Sequence, residues 1–388
     1  MLTEEITPET RPTTHAASPP YGIPKNSIRV LALVTDAYGG TGGIAHYNRD
    51  FLESEAAHEG VRQIIVLPRL IPRDMQPRPK SVINVQTAVN SKVKYLAKVV
   101  QLASQSEGFD LIICGHVHLL PAAWLAAQKC GAKVLLMTYG LEVWTRMSWP
   151  TRYMLHRTDT VVAISAFTIK RLREWAVIPG DRIFLVPNGI DLWEFTPGPK
   201  DESLRNKLGL GDGPILLTLG RMDAHEKAKG FDEVLEVLPS LLEDFPTLTY
   251  CLAGDGTDRA RLEKKASKLR VKKHCVFTGY VDEAVKLELY RLTDLYVMPS
   301  RLEGFGYVFL EALAAGVPVV ASSIDGSKEA VRGGAWGTLA DPHNRDEVLN
   351  AIRSGLNHPK MPDRGELDYF SKERFRSRVW QALDRTIR

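Results

Sequence analysis

From residue 28 onward the chain alternates short, wholly apolar runs with stretches of helical periodicity, and it does so twice. The first series has apolar runs at 28–34, 63–67, 111–114, 133–137, 160–164 and 183–186. After the turn-rich Pro197-Gly198-Pro199-Lys200 it restarts, with runs at 214–219, 249–253, 276–278, 295–298 and 317–321. Helical patterns such as 232–243 and 259–269 lie between them. Strands that are apolar at every position suit parallel sheets covered on both faces by helices. The expected fold is therefore α/β: two Rossmann-like doubly wound domains facing across a cleft, one at 26–195 and the other at 196–365. Ligands of such sheets bind beyond the carboxyl ends of the strands, which makes the cleft the default site. Residues 1–25, rich in Thr, Pro and Glu, predict a disordered tail. In residues 366–388, Phe375, Val379, Trp380 and Leu383 fall at helical spacings and predict a terminal helix, either a plain amphipathic end or one that crosses back to the N-terminal domain with Trp380 at the junction.

A length of 388 residues allows two or three domains, and 44% hydrophobic with 25% charged residues excludes a disordered or collagen-like chain. Cys114, Cys130, Cys251 and Cys275 form no CxxC pair and sit in apolar runs, so buried reduced thiols and a cytoplasmic location are expected. The most apolar long stretch, 117–138, contains Pro121, Lys129, Gly131 and Lys133 and reads as helix, turn and strand. A net charge of +4 gives no reason to expect nucleic acid. That mild average hides a local excess. Residues 62–98 carry eight basic side chains (Arg62, Arg69, Arg73, Arg78, Lys80, Lys92, Lys94, Lys98) against the single acid Asp74, a balance of +7. Within it, 89–102 reads as an amphipathic helix with lysines on its polar side. Two readings stay open: a solvated basic face on an ordinary packed helix, or peripheral contact with an anionic membrane.

The densest motif is the segment 300–321, Ser-Arg-Leu-Glu-Gly-Phe-Gly-Tyr-Val-Phe-Leu-Glu followed by Ala-Leu-Ala-Ala-Gly-Val-Pro-Val-Val-Ala. Glu303 falls in a strand-to-helix loop and Glu311 inside the helix. Gly304 and Gly306 let backbone N–H groups approach a ligand at the helix start, where phosphate is favoured. Arg221 and Lys229, beyond the strand at 214–219, supply fixed positive charge.

These residues resemble the Glu-x7-Glu region of retaining GT-B nucleotide-sugar glycosyltransferases of family four, often called group 1. Gly220-Arg221-Met222-Asp223 with Lys229-Gly230-Phe231 resembles the family's Gly-Arg…Lys-Gly motif. The segment 186–191, Val-Pro-Asn-Gly-Ile-Asp, resembles its inter-domain Pro-Asn-Gly-Val-Asp. Leu252-Ala253-Gly254-Asp255-Gly256 and Phe277-Thr278-Gly279-Tyr280 resemble its nucleotide-side loops. The resemblance covers about residues 28–385.

It implies that the C-terminal domain binds a GDP- or UDP-linked sugar and the N-terminal domain an acceptor. Arg221 and Lys229 would meet the diphosphate; the glycine after Lys229 favours it over Lys227. Glu303 would orient the donor sugar and Glu311 the ribose, with Gly220, Gly254, Tyr280, Gly304, Phe305, Gly306, Tyr307 and Glu329 around the donor. On the other side, Gly40, Thr41, Gly42 and Gly43 resemble the family's flexible loop, and His118 its active-site histidine. Glu142 follows Tyr139-Gly140-Leu141, where the family has His-Gly-x; Ser165 and Asn188 complete the set. Strand alternation would put His116 and His118 on one face, which invites a metal reading, but no third ligand accompanies them. Ser165 reads equally as a phosphate contact or a helix cap. The implied activity is metal-independent, retaining hexosyl transfer without a cofactor, mannose or glucose in type, onto a glycan or lipid-linked acceptor of surface polysaccharide or glycolipid assembly. Rivals are a sucrose- or trehalose-type synthase, a non-catalytic nucleotide-sugar binder and, from the glycine loop, a dinucleotide oxidoreductase.

Overall fold

The computed structural model describes residues 23–40, 42–70, 76–85, 91–225 and 227–388. The tail expectation falls, through residue 22, outside the described residues, and so do Thr41, Arg73 and Asp74.

The first sheet has seven strands: β1 (Ile28–Val34), β2 (Val61–Pro68), β3 (Val82–Asn84), β4 (Leu111–Gly115), β5 (Lys133–Thr138), β6 (Thr160–Ala163) and β7 (Ile183–Leu185). The second has six: β8 (Ile215–Leu219), β9 (Thr249–Ala253), β10 (Cys275–Gly279), β11 (Leu295–Met298), β12 (Val319–Ser322) and β13 (Thr338–Ala340). Their orders are β3-β2-β1-β4-β5-β6-β7 and β10-β9-β8-β11-β12-β13. All strand pairs run parallel. Every residue of β1 and β4 is buried, because helices cover both faces. The sequence reading passed over β3 and β13. Each is three residues long, lies at a sheet edge and is only partly buried, so neither carries an apolar run.

In the first half the helices are α1 (Gly43–Ala56), α2 (Lys92–Ala103), α3 (Leu120–Cys130), α4 (Leu141–Trp144), α5 (Trp149–His156) and α6 (Ala166–Arg173). In the second they are α7 (Glu202–Leu208), α8 (Phe231–Asp244), α9 (Arg259–Lys268), α10 (Glu283–Leu292), α11 (Tyr307–Ala314), α12 (Ser327–Ala330), α13 (Arg345–Asn357) and α14 (Lys372–Ile387). The apolar sides of α2, α3, α5 and α6 pack on one face of the first sheet. Helices α1 and α14 cover the other.

Helix α14 packs on α1, where the Trp380 Nε1–H donates to the Ser54 carbonyl at 2.6 Å and the Phe375 ring meets Tyr47 edge-on at 5.4 Å. Just before it, Phe370 stacks edge-on against Phe305 of the second half at 5.4 Å. One apolar cluster thus runs from the first sheet through α14 to the second. All four cysteines are free; Cys114 and Cys251 are buried, while Cys130 and Cys275 are only half-buried. Among the described residues, no helix is long and apolar enough to cross a membrane.

Candidate active site

The candidate residues follow the carboxyl ends of ten strands, and the loops of the two sheets meet there. β11 leads into the loop that carries Glu303, and α11 starts immediately beyond it. Gly306 has φ +91°, a conformation that a side chain would strain, and turns the chain into α11. No side chain caps α11, so its first N–H groups are left without a side-chain partner. Lys229 Nζ forms an ion pair with Glu303 Oε2. Lys227, by contrast, is exposed at the loop surface. The glycine after Lys229 is required: at φ +76° it turns into α8, and a Cβ there would meet Pro299 at 2.7–2.9 Å.

Asp325, fully buried, holds the Glu303 loop in place. Its Oδ2 accepts from the Ser300 hydroxyl at 2.7 Å and the Glu303 N–H at 2.8 Å, and its Oδ1 from the Ser327 N–H and hydroxyl. Burial raises its pKa, an effect those donors oppose. The Gly326 N–H closes the loop by donating to the Glu303 carbonyl at 2.9 Å.

Glu311 lies deeper, 2% exposed. Its carboxylate accepts from Lys286 Nζ and from the Tyr290 hydroxyl, each at 2.8 Å. Two of its roughly four acceptor positions are thereby filled, so a ribose contact at Glu311 would share the carboxylate with α10. Lys286 also reaches Glu283 at 2.6 Å. The sequence reading missed Lys286 and Tyr290; the available signal was a lysine at helical spacing from Leu289 and Tyr290 in the stretch that forms α10. Arg221 is exposed, 3.8 Å from Asp223. Gly254, at φ +127°, packs so close to the Gly220 carbonyl that a Cβ would collide with it, and Tyr280 is exposed at the rim.

From the first half, β1 leads into the glycine loop. Gly40 is buried against Asp36, whose pKa is raised by burial, while Gly42 and Gly43 are exposed. The histidine pair departs from the strand-alternation reading. β4 stops at Gly115, and His116 caps a 3-10 turn over Val117–Leu119 by accepting the His118 N–H at 3.2 Å. The turn still brings the two rings to 5.0 Å, with His118 exposed to the cleft and the His116 pKa pushed down to about 4, first by burial. Among the described residues no three His, Cys, Asp or Glu side chains gather as a metal-holding group. Tyr139, where the family has histidine, is a buried strut: its hydroxyl bonds Asn48 Oδ1 at 2.6 Å and the Gly115 carbonyl at 2.9 Å. Glu142 folds back to accept the Tyr139 N–H at 2.5 Å, and burial raises its pKa.

Contacts between the halves complete the site. A Cβ on Gly304 would collide with the Tyr139 carbonyl. Tyr307 stacks flat on His46 at 4.4 Å, and its hydroxyl faces Asp50 at 3.3 Å. Asp50 also meets His46 and Lys372, each at 3.4 Å. Ser165 caps α6 by accepting the Thr168 N–H at 3.0 Å. Glu329 reaches the same helix end from the second half, accepting from Ala166 N–H at 2.8 Å and Phe167 N–H at 2.6 Å. In this arrangement both oxygens of its carboxylate serve α6. Asn188 is buried, with its Oδ1 unpartnered. His46, Asp50 and Asp325 lay outside the sequence reading of the site.

The family model "Glycosyl transferases group 1" matches residues 200–369, and the model "Glycosyltransferase Family 4" matches residues 41–194. The chain is 32% identical over 247 residues to a GDP-mannose-dependent alpha-(1-6)-phosphatidylinositol monomannoside mannosyltransferase of Mycolicibacterium smegmatis. That match covers 60% of this chain and 64% of the relative, under two thirds of the latter's length. A GDP-mannose-dependent monoacylated alpha-(1-6)-phosphatidylinositol monomannoside mannosyltransferase of Corynebacterium glutamicum is 25% identical, over 86% of this chain and 90% of its own. Among solved structures, the Anabaena HepE protein in complex with UDP and glucose superposes with a TM-score of 0.73 at 20% identity, covering 92% of this chain and 99% of its own. With one family model on each sheet and its loops, and the GT-B arrangement of its structural neighbours, the chain belongs to the group 1, family 4 glycosyltransferases.

Proposed function

We propose that the protein transfers a hexosyl group, with retention of anomeric configuration, from a nucleotide diphosphosugar to a glycan or lipid-linked acceptor of glycolipid or surface-polysaccharide assembly. The observation that carries this is the Lys229–Glu303 pair, brought together at the uncapped start of α11 and facing the Tyr139–Glu142 turn of the first half. In the reaction the anomeric C–O bond to the diphosphate breaks, and negative charge grows on the leaving group. Lys229, Arg221 and the α11 N–H groups would stabilise that charge. Glu303 would orient the sugar as its ring becomes oxocarbenium-like. The acceptor hydroxyl, beside His118, bonds to the anomeric carbon on the departing face and passes its proton to the leaving phosphate oxygen.

The N-terminal domain would hold the acceptor and the C-terminal domain the donor. The similar mannosyltransferases favour GDP-mannose as donor. The phosphatidylinositol in their names favours a lipid acceptor, which the protein, otherwise in the cytoplasm, would meet at the inner face of a membrane through the basic region from Arg62 to Lys98. A thermal-shift series with GDP, UDP, ADP and NAD tests the donor. GDP should raise the melting temperature most; stabilisation by NAD alone would overturn the reading.

A further inference from the structure

We propose that the outer layer formed by α2, α3 and α5 is a membrane footprint for anionic lipid, and that Trp149 and Tyr153 of α5 are its interfacial anchors. This extends the membrane contact proposed above for residues 62–98 to a second element that lies outside that charge run.

The three helices pack side by side, α2 on α3 and α3 on α5, over one face of the first sheet. Their outer surface is unusually apolar. Trp149 is 69% exposed, Val93 77% and Tyr153 43%, and Leu96, Val100 and Leu125 join them. The indole of Trp149 stacks on Tyr153 at 5.9 Å, and the Arg157 guanidinium sits over the Tyr153 ring at 4.4 Å. Soluble surfaces expose such residues singly; a layer of them is a contact surface.

Charge selects the occupant. No acidic residue occurs in α2, α3 or α5, while Lys92, Lys94, Lys98, Lys129 and Arg152 do. Among the described residues, no ion pair is formed by Lys92, Lys94 or Lys129. The arginines of α14 are different: Arg374 pairs with Asp368, Arg385 with Asp181, and Arg378 lies over Tyr369. Exposed lysines on helices without an acidic residue attract external anions. Exposed Val and Leu among them argue against a purely polar partner such as a glycan. A Trp–Tyr pair flanked by arginine suits the headgroup zone, where an apolar ring body is buried and its polar tip stays wet.

Topology sets where this surface lies. In βαβ units the helix N-termini stand at the carboxyl ends of the strands, the cleft side. Lys92, Val93 and Lys94 open α2, the helix after β3, so the charged end of the layer adjoins the cleft, while Trp149 opens α5, the second helix after β5. Glu107, Asp110 and Asp159 lie at the opposite rim, between helix ends and strand starts. A bilayer against this layer would meet the lysines beside the mouth of the acceptor half and the aromatic pair on the same outer layer, an arrangement suited to a lipid-linked acceptor.

The test is co-sedimentation of the full chain with vesicles of pure phosphatidylcholine and of phosphatidylcholine with roughly a third phosphatidylglycerol. Wild type should bind the anionic vesicles and lose binding in high salt. Trp149→Ala/Tyr153→Ala should weaken binding by roughly tenfold or more, with unchanged melting temperature and unchanged nucleotide-induced stabilisation. Lys92→Glu/Lys94→Glu/Lys98→Glu should weaken it too. If the aromatic double variant binds like wild type while the lysine variant does not, the footprint ends at α2 and this inference falls, leaving the basic-region reading intact. If wild type ignores anionic vesicles, both fall.

Discussion

Lys229 and Glu303 are 74 residues apart in sequence and in contact in the fold. If Lys229 stabilises the leaving diphosphate, its charge acts mainly in the transition state, so Lys229→Ala should lower kcat by ~10²–10³ with little change in melting temperature. Glu303→Ala should lower kcat by orders of magnitude as well, while circular dichroism stays that of the wild type. Near-normal turnover in both would remove the assigned roles. These two positions were legible in the sequence because glycines punctuate them: Gly230 and Gly306 mark turns that only glycine makes easily. Asp325 was not legible in that way. It follows a different strand, and only the packing of its loop shows that its four accepted hydrogen bonds set the position of Glu303. Lys286 and Tyr290 escaped for the same reason: a local pattern shows which face of a helix is buried but not which carboxylate waits there.

At the scale of elements, parallel strands buried on both faces announce themselves, and the strands longer than three residues were visible as apolar runs. Exceptions within elements mark where the packing tolerates a cost. Glu55 on α1 is such a case, fully buried with neither carboxylate oxygen hydrogen-bonded. Burial lifts its pKa from 4.5 to about 8. Between those values the folded chain holds a proton that the unfolded chain has released. Stability therefore falls as pH rises, by up to ~1.4 kcal/mol per unit from this group, and the penalty disappears below pH 4.5. Glu55→Leu should be more stable than wild type at pH 8, with the gain shrinking by pH 5. Urea unfolding at the two pH values reads this difference; an equal gain at both would show that Glu55 does not titrate between them.

At the scale of the whole molecule, the site exists only while the two halves meet, and few polar contacts hold them there. The Glu329 carboxylate bridges 163 residues to the exposed end of α6, where Ser165 alone would leave two N–H groups without a protein partner. The contact joins a charge to a helix N-terminus, worth roughly 1–3 kcal/mol. The Tyr307–His46 stack and its Asp50 contact add a second tie. The long apolar cluster through α14 lies behind both and would keep the halves joined if they were lost. Glu329 thus stands where it can bias opening against closure without governing folding. Glu329→Ala should shift the population toward a more open form, visible as a larger radius of gyration in small-angle scattering. Addition of GDP should restore part of the compaction, because a donor nucleotide bridging the cleft favours the closed form by mass action. The melting temperature should move by only a few degrees, since each half keeps its own sheet and core. An unchanged scattering profile, together with an unchanged KM for the donor, would show that Glu329 caps α6 without controlling closure.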